Sequence, residues 1–488
     1  MTHVHCPDAY PSDSEVPSPG RRAFMRRSSQ LALAGTALPF ALNLAAVGDA
    51  AAAEAGDYKA LVCVFLYGGN DYANTVVNYD SPSYAAYSNI RGTVALARND
   101  LTSTLLQPTA ALPDGRQYAL NPAMTAMAGL FHSGVAAVQL NVGSLVAPMT
   151  RAQYTSGAVV KPPRLFSHND QQSIWQASAA EGATVGWGGR LGDFSLASNG
   201  SSTFTCISAS GNAVFLSGHS ALPYQVSTSG AVRINAIKSN VYGSAAVKAV
   251  MGDLLQQQSN HLLENEYGRI SSRAITAEVT VSNALGSGNS VSTPFPANNS
   301  LADQLKVVAR LIAARNTLNV KRQVFFVSLN GFDLHNALLS QHPILMEKVS
   351  EAMAAFYRAT VELGVADQVT AFTASDFGRT LATNGAGADH GWGSHHFVVG
   401  GAVKGKAFYG NPPPVSIGDS PSLADDQWHV GQGRLLPSTS VDQYAATMAR
   451  WFGVPDADLD TIFPNLKNFG AAAGRPDYPR DMGFMRAG

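Results

Sequence analysis

Residues Val369–His396 read VTAFTASDFGRTLATNGAGADHGWGSHH. The stretch opens as a short apolar run rich in Thr and Phe, the composition of a buried strand. It breaks at Ser375-Asp376-Phe377-Gly378, and a loop rich in Gly and Asn then holds Asp389, His390, His395 and His396 within eight residues. A carboxylate at the carboxyl end of a strand, with imidazoles on the following loop, is where an α/β sheet builds a site. Carboxylate oxygen and imidazole nitrogen are the protein ligands of catalytic zinc, and carboxylates suit magnesium or manganese. One histidine here would read as a polar loop residue bonded to backbone. Three histidines with two aspartates and flexible glycines read as a functional site.

The pattern recurs twice. Tyr58–Leu66 (YKALVCVFL) is a continuous apolar run of the kind found in a central parallel strand, and it ends in Tyr67-Gly68-Gly69-Asn70-Asp71. Arg322–Leu329 (RQVFFVSL) is a second, and it ends in Asn330-Gly331-Phe332-Asp333-Leu334-His335. Crossover connections in a parallel sheet put all carboxyl ends on one side. Three separated strands therefore deliver Asp71, Asp333 and Asp376 to one edge, where the carboxylates would repel one another unless a cation sat between them.

Other segments fill in an α/β order. Asn121–Phe131 has a helical pattern and leads into a buried strand over Gly134–Asn141. Arg164–Gln171 (RLFSHNDQ) opens a helix that runs through Ala180. Ser167 stands at or near its N-cap, where backbone N–H groups and the dipole favour an anion; it reads either as a plain capping serine or as a nucleophile or phosphate contact. Residues 181–300 are rich in Gly, Ser and Ala, with short β-like runs near Phe204–Ile207, Ala213–Leu216 and Val232–Ile237 and one helical stretch over roughly Gly243–Ile275. They read as an insertion or cap over the sheet. Gly286–Asn299 reads as a linker, Leu301–Ala314 and Leu345–Leu363 as helices, Phe397–Val403 as a further strand and Thr439–Phe452 as a helix.

The totals fit a large globular core: 45% hydrophobic and only 14% charged residues. Lys+Arg 33 against Asp+Glu 34 gives a net charge of -1, without the basic surplus of a nucleic-acid binder. Three cysteines are too few and scattered for a disulfide framework, and Cys63, inside an apolar run, reads as a small core residue. At the N-terminus, Arg21-Arg22-Ala23-Phe24-Met25-Arg26-Arg27 precedes an apolar stretch from Leu31 to Val47 and small residues at Ala50–Ala55. This is the layout of a signal peptide, and the paired arginines point to the twin-arginine translocase as a partner. A membrane anchor fits worse: the apolar run is short, contains Pro39 and Asn43, and ends in alanines. Residues 1–55 are thus read as leader and residues 56–488 as the α/β domain, periplasmic or secreted, with no stable membrane insertion.

Six motifs resemble a known group: GGNDYANTVV (68–77), RLFSHNDQQSIW (164–175), SLNGFDLH (328–335), SDFGRT (375–380), DHGWGSHHFVVGGAVKG (389–405) and LLPSTSVDQYAATMARWFGV (435–454). In this order they resemble an uncharacterised bacterial family of twin-arginine-exported proteins placed in the alkaline phosphatase and sulfatase superfamily. The resemblance implies a doubly wound, mostly parallel α/β sheet of alkaline phosphatase-like type. It implies two divalent metals, zinc, magnesium or manganese, at the strand ends. It matches Asp71 to the first-strand ligand, Asp333 and His335 to the second ligand cluster, Asp376 to the later Asp ligand, and His390 or else His396 to the last His ligand. Ser167 is the candidate for the nucleophile position, and Arg379 for holding developing charge. Two departures stand out. The superfamily's Asp-His pair is Asp376-Phe377 here, which leaves His390 or His395 to supply the imidazole, and Asp333 and His335 are closer in sequence than the phosphatase pattern. No Cys-x-Pro-x-Arg occurs, so phosphate-type esters stand ahead of sulfate esters as small-molecule substrates. A non-catalytic exported binding or assembly protein on the same fold is the alternative, and Phe377 favours it.

Overall fold

The computed structural model describes residues 58–257, 259–286 and 290–486; the arginine pairs and apolar leader lie outside the described residues. At the centre is strand β1 (Lys59–Tyr67), with eight of its nine residues fully buried. Its side chains alternate between two cores, as the two-residue period of a strand requires. Ala60, Val62, Val64 and Leu66 face a core shared with the helices Thr125–His132, Ser300–Ala313 and Leu338–Glu362. Leu61, Cys63 and Phe65 face a second core shared with Trp187–Ser195 and Val441–Phe452. A strand covered by helices on both faces has no polar side, which is why it reads as an unbroken apolar run. Cys63 is a core group whose thiol burial holds in its protonated form.

The remaining strands are β2 (Val76–Asn78), β3 (Tyr118–Leu120), β4 (Ala136–Gly143), β5 (Cys206–Ser208), β6 (Tyr224–Ser227), β7 (Gly230–Ala231), β8 (Arg322–Asn330), β9 (Val369–Ser375), β10 (Ser394–Gly400), β11 (Ala407–Tyr409) and β12 (Thr439–Ser440). The main sheet runs β11-β4-β10-β9-β1-β8-β5-β6-β7, with β12 beside β4; β2 and β3 form a separate pair. β8, β1 and β9 are parallel neighbours, with Tyr67 opposite Asn330 and Leu66 opposite Ser375. In the main sheet, among the described residues, only β10, between β9 and β4, and the edge strand β7 run against their neighbours. The architecture is α/β, a mostly parallel sheet with helices on both faces, and the tips preceding Asp71, Asp333 and Asp376 lie on one edge.

Several elements differ from their sequence reading. The helical stretch from Gly243 is two helices, Ala245–Gln256 and Leu262–Gly286. Between them the Ser259 hydroxyl accepts from the His261 N–H and donates to Glu264, a local alternative to continuing the helix. Part of the stretch read as a cap, β5 to β7, lies in the main sheet itself. Val214–Leu216 is a turn of 3-10 helix and Asn235–Lys238 a helical turn, not strands. The helix read from Leu345 starts at Leu338, with Pro343 inside it. Leu339, whose carbonyl that proline cannot bond, is exposed to water.

Candidate metal centre

Gly68 and Gly69 turn the chain at the tip of β1 with φ of 115° and 82°. A Cβ on Gly68 would lie 2.4 Å from the Asp333 backbone nitrogen, and one on Gly69 would lie 2.4 Å from the Phe377 ring. Only glycine lets the β1, β8 and β9 tips come this close. The turn leads to Asp71, but the Asp71 carboxylate goes elsewhere. It receives the Arg91 guanidinium at 2.5 Å and the Asn74 N–H at 2.9 Å, with both side chains essentially out of water. Burial alone would raise the Asp71 pKa, yet Arg91 outweighs it and holds the carboxyl below its usual range.

A cluster of polar groups gathers instead around Asp333. His168, Asp333 and His390 each offer a ligand atom, and these atoms all lie within 4.8 Å of one another. His168 Nε2 is 3.5 Å from Asp333 Oδ2, and His390 Nε2 is 3.3 Å from Asp333 Oδ1. His335 Nε2 lies 3.1 Å from the same Oδ1 and 3.0 Å from His390 Nε2. Asp333 is half exposed and the three imidazoles are partly so. The cluster is open to solvent.

Hydrogen bonds on the far side of each ring set the direction of the imidazoles. His390 Nδ1 faces the Phe166 carbonyl at 2.7 Å, which can only accept. Nδ1 therefore carries the proton, and Nε2 of the neutral ring keeps its lone pair. His168 Nδ1 faces Asp376 Oδ2 at 2.6 Å, and His335 Nδ1 faces Asp389 Oδ1 at 3.1 Å. The same logic turns their Nε2 lone pairs inward, and Arg379 Nη1 points at His335 Nε2 from 3.3 Å, as a donor requires. In the neutral rings Nε2 of His168 and of His390 thus turn lone pairs toward the Asp333 carboxylate, while Nε2 of His335 accepts from Arg379. His168 Nε2 is buried without a hydrogen-bond partner. Imidazoles anchored through Nδ1 by an oxygen, with Nε2 left free, are how proteins orient metal-ligating histidines. A tetrahedral zinc with ligands at about 2.1 Å holds them about 3.4 Å apart; His168 and His390 stand near that distance from two different Asp333 oxygens, and the set of single atoms, spread over 4.8 Å, would draw in around an ion. The donor set fits a divalent cation.

The surroundings act differently on each group. Partial burial works against the Asp333 carboxylate, but the Arg379 hydrogen bond and charge outweigh it and hold the pKa down at about 2. The hydrogen bond to Asp376 raises the His168 pKa, while burial lowers that of His390. Phe166 reaches His390 only by adopting φ 76°, a left-handed conformation costly for a bulky residue.

The other expected site residues fall into place around this cluster or away from it. Asp376 is fully buried behind His168, and its Oδ2 also accepts from Gln172 Nε2 at 2.8 Å and Gly68 N at 3.2 Å. It orients His168; its carboxylate is not one of the three grouped ligands. Arg379 is buried beneath the cluster, donating to Asp333 Oδ1 at 2.5 Å and to the carbonyls of Gly68, Gly69, Phe332 and Ala388. It braces Asp333 and is closed off from a substrate. The Ser167 hydroxyl donates to Asp170 Oδ2 at 2.9 Å and makes no side-chain cap. His396 stands apart: it lies in β10 against Trp175 and Tyr444, with Nδ1 on Thr373, and burial drives its pKa down to about 3. His395 is a core group too, accepting the Asn141 N–H. Phe377, where the superfamily pattern has an imidazole, packs its ring against His168 and His390 with centroids 4.9 and 4.7 Å away. Sequence reasoning passed over His168 and Gln172, and it singled out Asp389 and His335 without pairing them. The signal for the first two was present in Ser167-His168-Asn169-Asp170-Gln171-Gln172, a His and a Gln four apart on one helix face.

Residues 58–430 match the family model described as a protein of unknown function, DUF1501. The chain belongs to this DUF1501 family. No curated protein matches it. Among solved structures, it is similar to the lipoteichoic acid synthase LtaP from Listeria monocytogenes, at 9% identity and a TM-score of 0.28, over 74% of this chain and 68% of that one. So distant a likeness adds nothing to the reading of this DUF1501 site, which rests on its own geometry.

Proposed function

We propose that the chain is a metal-dependent hydrolase of phosphate-type esters, with one divalent ion held by Asp333, His168 and His390 and with His335 beside them. The observation that carries this reading is the set of three imidazoles, each facing an oxygen at Nδ1 and turning Nε2 toward the Asp333 carboxylate. A bound zinc, manganese or magnesium ion would polarise an ester oxygen and lower the pKa of a water. The chain's own groups prepare that chemistry. Asp376 and Gln172 hold the His168 ring, the Phe166 carbonyl holds His390, and Arg379 keeps Asp333 ionised. Phosphate over sulfate comes from the motif resemblance. So does export by the twin-arginine translocase to the periplasm or beyond, which rests on the sequence of residues 21–55. Among the described residues, no helix is long and apolar enough to cross a membrane.

The test is elemental analysis of the purified chain alongside aryl phosphate monoesters, diesters and sulfate esters. About one ion per chain is expected, with phosphate-ester hydrolysis lost on chelation and restored by the ion. A chain that binds none of the three ions would overturn the reading. Bound metal without turnover of any ester would favour the second reading, a binding or assembly protein. The internal engagement of Asp71 and Asp376 supports that second reading, because it leaves one cluster where the superfamily pattern has two metals.

A further inference from the structure

Helix Leu262–Gly286 carries one apolar stripe with two different fates. Ala277, Val281 and Ala284 are spaced four and three apart and are buried in the main core. The same spacing continues backwards through Ala274, Ile270, Tyr267 and Leu263, which keeps these residues on one side of the helix. Among the described residues nothing covers this part of the stripe: Leu263 is 73%, Tyr267 62% and Ile270 47% exposed. The neighbouring helix Ala245–Gln256 adds Leu254, and a groove of about 600 Å³ lies between the two, lined by Leu254, Leu263 and Tyr267. Contiguous exposed apolar surface of this kind marks an interaction face.

We infer that this face pairs with a second copy of the same chain, the two helices lying antiparallel and crossing between Gly268 and Arg269. The sequence around that point is complementary to itself. In an antiparallel pair Leu263 meets the partner's Ala274 and Tyr267 meets the partner's Ile270, so each apolar layer closes on an apolar residue. Between those layers, on one flank, Glu266 lies beside the partner's Arg273, and the two-fold axis makes this opposite-charge pair twice. On the opposite flank Ser271 is buried within its own chain and Glu264 accepts from Ser259, so no like charges face there. Within one chain Glu266 meets Arg269 at 3.5 Å with both side chains exposed, a contact too weak to hold it back. The stripe is thus continuous with the chain's own core at one end and with the partner at the other.

Sedimentation velocity of the full chain under reducing conditions, from about 1 to 100 μM, tests the pairing. Wild type is expected to dimerise in this range, and Ile270→Asp, at an exposed position, to stay monomeric with an unchanged circular dichroism spectrum. Glu266→Arg places two Arg–Arg contacts across the axis and should raise the dimer Kd roughly tenfold or more. Glu266→Arg combined with Arg273→Glu restores opposite charges and should restore the dimer. A wild type that is monomeric throughout overturns the inference and leaves the face to another occupant, such as a lipid surface, which flotation with vesicles would reveal. A dimer indifferent to the single reversal, or a double reversal that fails to rescue, overturns it equally.

Discussion

Asp71 and Asp333 follow neighbouring parallel strands of one sheet, three or four residues beyond the paired positions Tyr67 and Asn330. Asp71 is shut in with Arg91, caps a short helix, and has no face turned to water. Asp333 has its guanidinium too, from Arg379, but only on one oxygen; half of its side chain is exposed, and imidazole nitrogens stand around it. A carboxylate at a strand tip is therefore not a ligand by position. It becomes available only where its counter-charge leaves an oxygen unclaimed. Where the counter-charge is buried with it, the pair works as a structural tie, and Arg91 extends that tie to the carbonyls of Thr380 and Leu381 on the β9 loop.

Removing each partner should separate these roles. Asp71→Ala leaves the Arg91 charge buried and alone, and we expect a loss of about 3–5 kcal/mol in urea unfolding, with metal content per folded chain unchanged. Metal loss at normal stability would instead return Asp71 to the site. Asp333→Asn should do the reverse. Its stability is expected to fall by less than that of Asp71→Ala, because half of the Asp333 side chain is already in water and the buried Arg379 keeps its carbonyl partners. Its metal affinity, measured by chelator competition, should fall by more than the roughly 10–100-fold that a supporting residue is worth.

Asp376→Ala takes the acceptor from His168 Nδ1 and is expected to cost about that 10–100-fold in metal affinity while leaving the direct ligands in place. Undiminished affinity would remove Asp376 from the support of the site. The smallest effect is expected at His396, the buried histidine set against the exposed ones. His396→Leu should leave metal binding untouched and change stability at pH 7 by about 1 kcal/mol or less. Its signature is in acid. The folded pKa of about 3 lies below the unfolded value, so the unfolded chain binds the extra proton. Stability from the neutral ring is complete above about pH 6.5 and is lost as pH falls towards 3. Removing His396 should flatten that loss by up to about 1.4 kcal/mol per pH unit, read from urea curves at pH 7, 6 and 5. Parallel curves for the two proteins would contradict the buried, neutral assignment.

The sheet centre was legible because strands buried on both faces are mostly apolar, as the middles of β1 and β8 are and as β9 is between its threonines. Their shared direction followed from the crossover rule, which placed Asp71, Asp333 and Asp376 on one edge. What escaped was the choice among them. Nothing in Tyr84-Ala85-Ala86-Tyr87-Ser88-Asn89-Ile90-Arg91 announces that Arg91 will reach back twenty residues to neutralise Asp71. The histidines misled for the same reason. His395 and His396 sit beside His390 in sequence, but β10 begins at Ser394 and carries both into the core. His168 stands far away in sequence and is brought in only by packing of the His168–Ala177 helix against β9.

The sequence distances between the groups at Asp333 also set a timetable for assembly. Arg379 and Asp389 close loops of 46 and 54 residues onto Asp333 and His335, whereas His168 reaches Asp376 across 208. The entropy of closing a loop rises with its length, so the β8-to-β10 half can form its contacts before the helix bearing His168 arrives. During synthesis His168 leaves the ribosome first, yet it has no partner until residues 333 to 390 have followed. A tight metal site would then be among the last features the chain acquires, which makes metal capture a reporter of completed folding.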